Sequence, residues 1–145
     1  KTEYKFIIKP HPNLDISKIL TTKELKQLSK NIFISQDNVD KLLDECLLTI
    51  FMATGAAYNA AANGNVVLSL RSELHLMDNY LDIFKKDFQF LDTYSLSSIK
   101  NILLEFIQDD KKFQKYIVEF GRLSNYLISG MNLVNQENLS KFKLI

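Results

Sequence analysis

The fold turns on one stretch of sequence: Leu47-Leu48-Thr49-Ile50-Phe51-Met52, then Ala53-Thr54-Gly55, then Ala56-Ala57-Tyr58-Asn59-Ala60-Ala61-Ala62-Asn63-Gly64, then Asn65-Val66-Val67-Leu68-Ser69-Leu70. The opening run is almost wholly apolar and does not alternate, which is the pattern of a strand covered on both faces. Small residues break it at Ala53-Thr54-Gly55. An alanine-rich helix follows over 56–63, and Gly64 stands where a helix end favours a left-handed residue. Val66 to Leu70 then starts a second buried strand. The stretch is a compact β-α-β unit, and such units build parallel sheets.

Outward from this unit, Tyr4-Lys5-Phe6-Ile7-Ile8-Lys9 reads as a strand. It is stopped by Pro10-His11-Pro12-Asn13, through which neither helix nor central strand continues. Helical spacing follows at Ile16, Ile19, Leu20, Leu25 and Leu28, interrupted at Thr21-Thr22. Asn31-Ile32-Phe33-Ile34 is a second strand, and Ser35-Gln36-Asp37-Asn38 supplies turn and cap chemistry before Val39, Leu42 and Leu43. Phe88-Gln89-Phe90-Leu91 is the expected fifth strand. Helices over 95–108 and 110–129 follow, with Ser97 or Ser98 and Asp109 as candidate caps. The expected fold class is α/β: one Rossmann-like domain over 1–145, with an open, mostly parallel sheet of about five strands, helices on both faces and carboxyl-terminal helices. The polar segment 132–145 reads as a frayed end or as a segment that packs on a partner domain.

Composition narrows the function. Eighteen basic residues against seventeen acidic leave a formal charge of +1, and the lysines are scattered. The basic stripe that nucleic acid requires is absent, so no nucleic-acid partner is expected. Cys46 is the single cysteine and suits a reducing compartment, as a small buried hydrophobe rather than a nucleophile. The longest apolar run, 47–57, is far short of the roughly 20 residues of a membrane span, and residues from Lys1 on lack the basic start, apolar centre and small-residue cleavage site expected of a signal peptide. Its start at Lys1, just before a strand, suggests a piece of a longer protein.

In open parallel sheets ligands lie beyond the carboxyl ends of the strands. Three loops are distinctive there: Lys9 to Pro12, Ser35 to Asp37, and Ala53 to Ala57. In the third, Gly55, Ala56 and Ala57 put little bulk at a helix amino terminus, and Thr54 adds a hydroxyl. Spacing alone leaves two readings open: an anion cradle, or small residues that let the helix pack against the sheet. His11, mounted between two prolines, is the candidate catalytic residue, a donor to a leaving phosphate with Lys9 adding charge. A turn-capping histidine is the alternative. Asn59, one helical turn beyond Gly55, faces either the same site or solvent. Ser35 and Gln36 are candidates in the second loop. Arg71, with Glu73, follows the fourth strand at the same sheet edge and is a weaker candidate, while His75 reads as an ordinary surface residue.

Taken in order, Ile7-Ile8-Lys9-Pro10-His11-Pro12, Val39-Asp40-Lys41-Leu42-Leu43, and Thr54 through Val67 resemble the donor-binding half of GT-B glycosyltransferases. The resemblance covers roughly residues 4 to 108. It is greatest for the capsule and surface-carbohydrate branch, with its His-Pro loop and a Gly-Thr-Ala-x-x-Glu-Ala-x-x-x-Gly-x-Pro-Val segment. Gly55, Ala57, Ala60, Gly64 and Val67 match that segment. Ala56 replaces its Thr or Ser, Asn59 its Glu and Val66 its Pro. An Asn cannot accept from two ribose hydroxyls as a carboxylate does.

The resemblance implies a nucleotide-sugar bound on this domain, with the base left open; the candidate binding residues, taken with the strand-end loops, are Lys9, Ser35, Gln36, Thr54, Gly55, Ala56, Ala57, Asn59 and Arg71. It implies no required cofactor and no metal in the site. It also implies an amino-terminal acceptor-binding domain in the same chain, so that this piece binds donor without turnover. The implied setting is bacterial surface-polysaccharide synthesis in the cytoplasm, with the parent protein at the inner face of the membrane as a further possibility. A polyol-phosphate transferase or nucleotide-sugar 2-epimerase shares these features. A non-catalytic assembly module, with Asn59 as its support, is the alternative from another class.

Overall fold

The computed structural model describes residues 4–15, 21, 23, 30–52, 55–71 and 81–141, and side chains as far as residue 130. The chain is α/β and falls into two compact units, 1–42 and 43–145, with the division inside helix α1 (Val39–Glu45). The helix expected over 16–30 lies almost wholly outside the described residues.

The first unit carries β1 (Phe6–Ile8) and β2 (Ile32–Ile34), a parallel pair with Phe6 opposite Ile32 and Ile8 opposite Ile34. The ladder extends past both ends of β2. Phe6 N donates to Asn31 O at 2.8 Å and Ser35 N to Ile8 O at 3.0 Å. Both strands end at turns with local hydrogen bonds, and α1 starts at Asn38, whose Oδ1 accepts from Asp40 N at 3.0 Å as an N-cap does.

The second unit is built on the β-α-β stretch. β3 (Leu48–Phe51), β4 (Val66–Leu70) and β5 (Leu91–Thr93) form a parallel sheet in the order β3-β4-β5. Registers run Leu48 to Val66, Phe51 to Ser69, and Ser69 to Asp92. The five expected strands are therefore present, but as parallel sheets of two and three strands instead of one sheet of about five. β4 is central, and Val66, Val67 and Leu68 are at most 2% exposed. Burying each side chain contributes roughly 1.5–3 kcal/mol, which explains why the run shows no alternation.

Helix α2 (Ala56–Ala62) links β3 to β4, with Ala57, Ala60 and Ala61 fully buried. Gly64 follows at φ 84°, the left-handed position that ends a helix cheaply only with glycine. The 20 residues between β4 and β5 include a 3-10 turn at Asp82–Phe84. β5 starts three residues later than the run Phe88-Gln89-Phe90-Leu91 suggested. Phe88 and Phe90 are packing residues instead, with ring centroids 5.8 Å from Tyr126 and 5.7 Å from Phe120. Tyr126 and Phe120 belong to α4 (Asp110–Lys141), which follows α3 (Leu96–Gln108). Phe106 on α3 meets Phe113 and Tyr116 of α4 at 5.0 and 5.6 Å, and Phe120, Leu123 and Leu127 continue the core. The cap of α3 is Ser95, not Ser97 or Ser98. Asp109 caps α4 as expected, its Oδ1 accepting from Lys111 N and Lys112 N. The helix runs on to Lys141 and takes in most of the polar segment 132–145.

Candidate functional site

At the carboxyl edge of the two-stranded sheet, the bond from Ser35 N to Ile8 O brings the loops after β1 and β2 side by side. Lys9, His11, Ser35 and Gln36 share that edge. His11 is exposed, and its Nδ1 accepts from Asn13 N at 3.2 Å while its carbonyl accepts from Leu14 N at 2.8 Å. Pro12 therefore occupies the second position of a hydrogen-bonded turn, where its fixed φ is favourable. With Nδ1 accepting, a neutral ring carries its proton on Nε2. The turn-capping role of His11 is thus present, and Nε2 is the ring atom that can act as donor to a ligand. Lys9 Nζ donates to Pro10 O at 3.3 Å, and Ser35 Oγ accepts from Asp37 N at 3.1 Å. Gln36 is exposed.

At the carboxyl edge of the three-stranded sheet, α2 begins at Gly55, and Thr54 lies outside the described residues. The two readings of this turn divide by residue. The Ala57 side chain is fully buried, so its smallness serves helix packing. Gly55 is exposed, has ordinary helical angles of −60° and −23°, and would place an added Cβ with no atom of the described residues within 4 Å. Among the described residues neither backbone conformation nor packing requires glycine there. Ala56 is half-buried and Asn59 exposed.

Arg71 follows β4 at the same edge, and its N donates to Thr93 O at 2.7 Å. Its guanidinium, 20% exposed, faces two carboxylates: Nη1 donates to Asp82 Oδ2 at 3.1 Å, Nη2 to Asp82 Oδ1, and Nη2 lies 3.2 Å from Asp92 Oδ2. Lys85 Nζ bridges the same pair, 3.1 Å from Asp82 Oδ1 and 2.5 Å from Asp92 Oδ2. Two cations and two anions thus close one network. Asp82 holds the Arg71 proton more firmly than usual, against the cost of burial. Arg71 in turn holds the Asp82 carboxyl below its ordinary value. For Lys85, burial opposes the charge, and the hydrogen bonds to Asp92 and Asp82 outweigh it and raise its pKa. Arg71 Nε and Asp92 Oδ1 are buried and have no hydrogen-bond partner among the described residues.

Asp82, Lys85 and Asp92 were not among the residues singled out from the sequence. One signal for them is readable in hindsight: Asp92 is a charge inside a strand, between Leu91 and Thr93, and a buried-edge charge requires a partner. No group of three or more His, Cys, Asp and Glu among the described residues could hold a metal ion, and no helix among them is long and apolar enough to cross a membrane. Comparison with protein-family models, curated proteins and solved structures finds no match for this chain.

Proposed function

We propose that the chain is the nucleotide-sugar-binding half of a GT-B type glycosyltransferase of bacterial surface-polysaccharide synthesis, acting in the cytoplasm with an amino-terminal acceptor-binding domain. The observation that carries this reading is the β3-α2-β4 unit. Its bare, exposed Gly55 opens a helix at the carboxyl edge of a parallel sheet, one strand away from Arg71. That is the edge at which open α/β sheets bind ligands. The resemblance of the same segment to the donor-binding halves of such enzymes supplies the ligand class. His11, with Nε2 as its donor atom, is the proposed catalytic residue, and the donor needs no metal. Asn59 offers an amide where a carboxylate would hold both ribose hydroxyls, so ribose binding by this chain is weaker than through a Glu.

The engagement of Arg71 by Asp82 and Asp92 favours a second reading, a non-catalytic assembly module, because a guanidinium already satisfied by carboxylates is a poor phosphate ligand as it stands.

The test is an NMR titration of the labelled 145-residue chain with CMP, CDP, UDP and GDP. Saturable shifts of the Gly55 to Asn59 amides with one nucleotide support donor binding and name the base. Shifts of the His11 ring report its own sheet edge separately. CMP selectivity points to transfer of a sialic-type acid, CDP to polyol-phosphate transfer, and UDP to a glycosyltransferase or an epimerase. No shift with any of the four, on a folded sample, favours the assembly module.

A further inference from the structure

We propose that Arg71 and Lys85 form a seat for a phosphate group, that the Asp82 carboxylate fills it in the unliganded chain, and that a phosphate-bearing ligand enters by displacing Asp82. The inference rests on the donor-binding reading for the nature of the ligand.

The geometry of the pair is the first argument. Asp82 meets Arg71 with both oxygens on both terminal nitrogens, the two-pronged arrangement in which guanidinium also takes phosphate. Lys85 supplies a second cation on the same oxygen, as a phosphate would use it. The position is the second argument. Arg71 directly follows β4, at the edge of the parallel sheet where ligands collect, with the α2 start on the neighbouring strand.

The two carboxylates are not equivalent. Asp92 is fixed in β5 opposite Ser69, between the buried Leu91 and Thr93. Asp82 lies on a single 3-10 turn and is the more exposed of the two, at 31% against 21%. Its backbone is held on either side, by Leu81 at 1% exposure and by the Phe84 ring 6.1 Å from Tyr126. Release of the seat therefore takes a side-chain rotation of Asp82 and leaves the turn in place. Without Asp82, the three remaining groups carry one net positive charge, which suits an anion. Arg71 Nε, buried and without a partner among the described residues, is a further donor that this network leaves unused.

The test compares pyrophosphate binding at constant ionic strength by the full chain, by Asp82→Asn and by the double variant Asp82→Asn with Arg71→Gln. The readouts are the Arg71 Nε–Hε cross-peak and the backbone amides. Removing the competing carboxylate is expected to tighten pyrophosphate binding about tenfold, the scale of one charge-assisted pair, and the double variant is expected to lose the gain. Equal affinities for the unmodified chain and Asp82→Asn, or an Arg71 cross-peak that stays still at saturation, overturn the proposal. If Asp82→Asn does not fold, the unmodified chain decides. The Asp82 carboxyl carbon resonance must move towards its solvated position as pyrophosphate saturates, and a fixed resonance overturns the proposal. Nucleotide-induced shifts at Gly55 to Asn59 with no effect of Asp82→Asn remove the seat and leave donor binding standing. A pyrophosphate gain without nucleotide binding does the reverse.

Discussion

The side-chain amide of Asn65 donates to Leu43 O at 2.9 Å and also to Cys46 O, tying the start of β4 to the backbone at the end of α1. Asn65 is 5% exposed, and Asn63 Nδ2 steadies its Oδ1 from 3.3 Å. Removing the amide takes one hydrogen bond from each carbonyl, although Leu43 O keeps Cys46 N as a donor at 3.2 Å, and two such bonds together contribute about 1–3 kcal/mol. Asn65→Ala is expected to lower stability by that amount in urea unfolding. Asn65→Asp should be at least as damaging, because a carboxylate faces the same carbonyls without a donor.

Gly64 and Gly55 flank one helix and should respond oppositely to alanine. Gly64 has φ 84°, and an added Cβ would lie an uncrowded 3.9 Å from Ser124 Cβ. Conformation alone sets the penalty, roughly 1–2 kcal/mol. Gly55 has ordinary helical angles and no atom of the described residues within 4 Å of an added Cβ, so Gly55→Ala is expected to change stability by no more than about 0.5 kcal/mol. Under the donor-binding reading, the same methyl group intrudes where the ligand approaches and weakens nucleotide binding. Urea midpoints and nucleotide titration of the two variants separate a glycine required by the fold from one serving a ligand.

Acid unfolding should report Asp82. Arg71 holds its carboxyl below the ordinary value of 3.8, so ionised Asp82 stabilises the folded chain above that value. The contribution is lost as pH falls through the lower folded value. The advantage of the unmodified chain over Asp82→Asn, about 1 kcal/mol near neutrality for a partly exposed pair, is expected to persist down to pH 4 and to vanish only below it. Urea midpoints measured from pH 7 to pH 2 check this, and a difference already gone at pH 4 contradicts the Arg71 pairing.

Sequence legibility followed the physics of each element. Val66 to Leu70 was readable to the residue because a central strand buried on both faces leaves a run that does not alternate, apolar but for Ser69, set between Gly64-Asn65 and Arg71. β5 was misplaced because aromatic residues at 88 and 90 imitate a strand while serving as knobs against α4, and the true strand has a charged centre at Asp92. The division of five strands into two sheets depends on pairing between distant segments, which local periodicity does not encode. Within the second unit the exposed turn at Gly55, and within the first the shared edge of Lys9, His11, Ser35 and Gln36, were legible from strand ends and punctuation. The pairing of Arg71 with Asp82 and Asp92 was not, because the three residues stand after β4, on the 3-10 turn and in β5, and contacts between separate elements leave no local pattern.

The cap of α3 shows the same limit at the scale of three serines. Ser95, Ser97 and Ser98 all satisfy the compositional rule for an N-cap, but only Ser95 has extended angles, −136° and 140°, with its Oγ accepting from Ser98 N at 3.1 Å. Ser97 and Ser98 lie inside the first turn, where a hydroxyl has no orphan N–H ahead of it to satisfy, and each instead reaches the Ser95 hydroxyl, at 2.6 and 3.2 Å. Ser95→Ala should therefore cost about 1 kcal/mol, the usual worth of a serine cap, whereas Ser97→Ala should cost a few tenths at most. Ser98→Ala keeps the backbone N–H that Ser95 accepts, so it should fall near Ser97→Ala. Equal losses for the three alanine variants in urea unfolding would mean that the hydroxyl cluster, and not the cap, stabilises the start of α3.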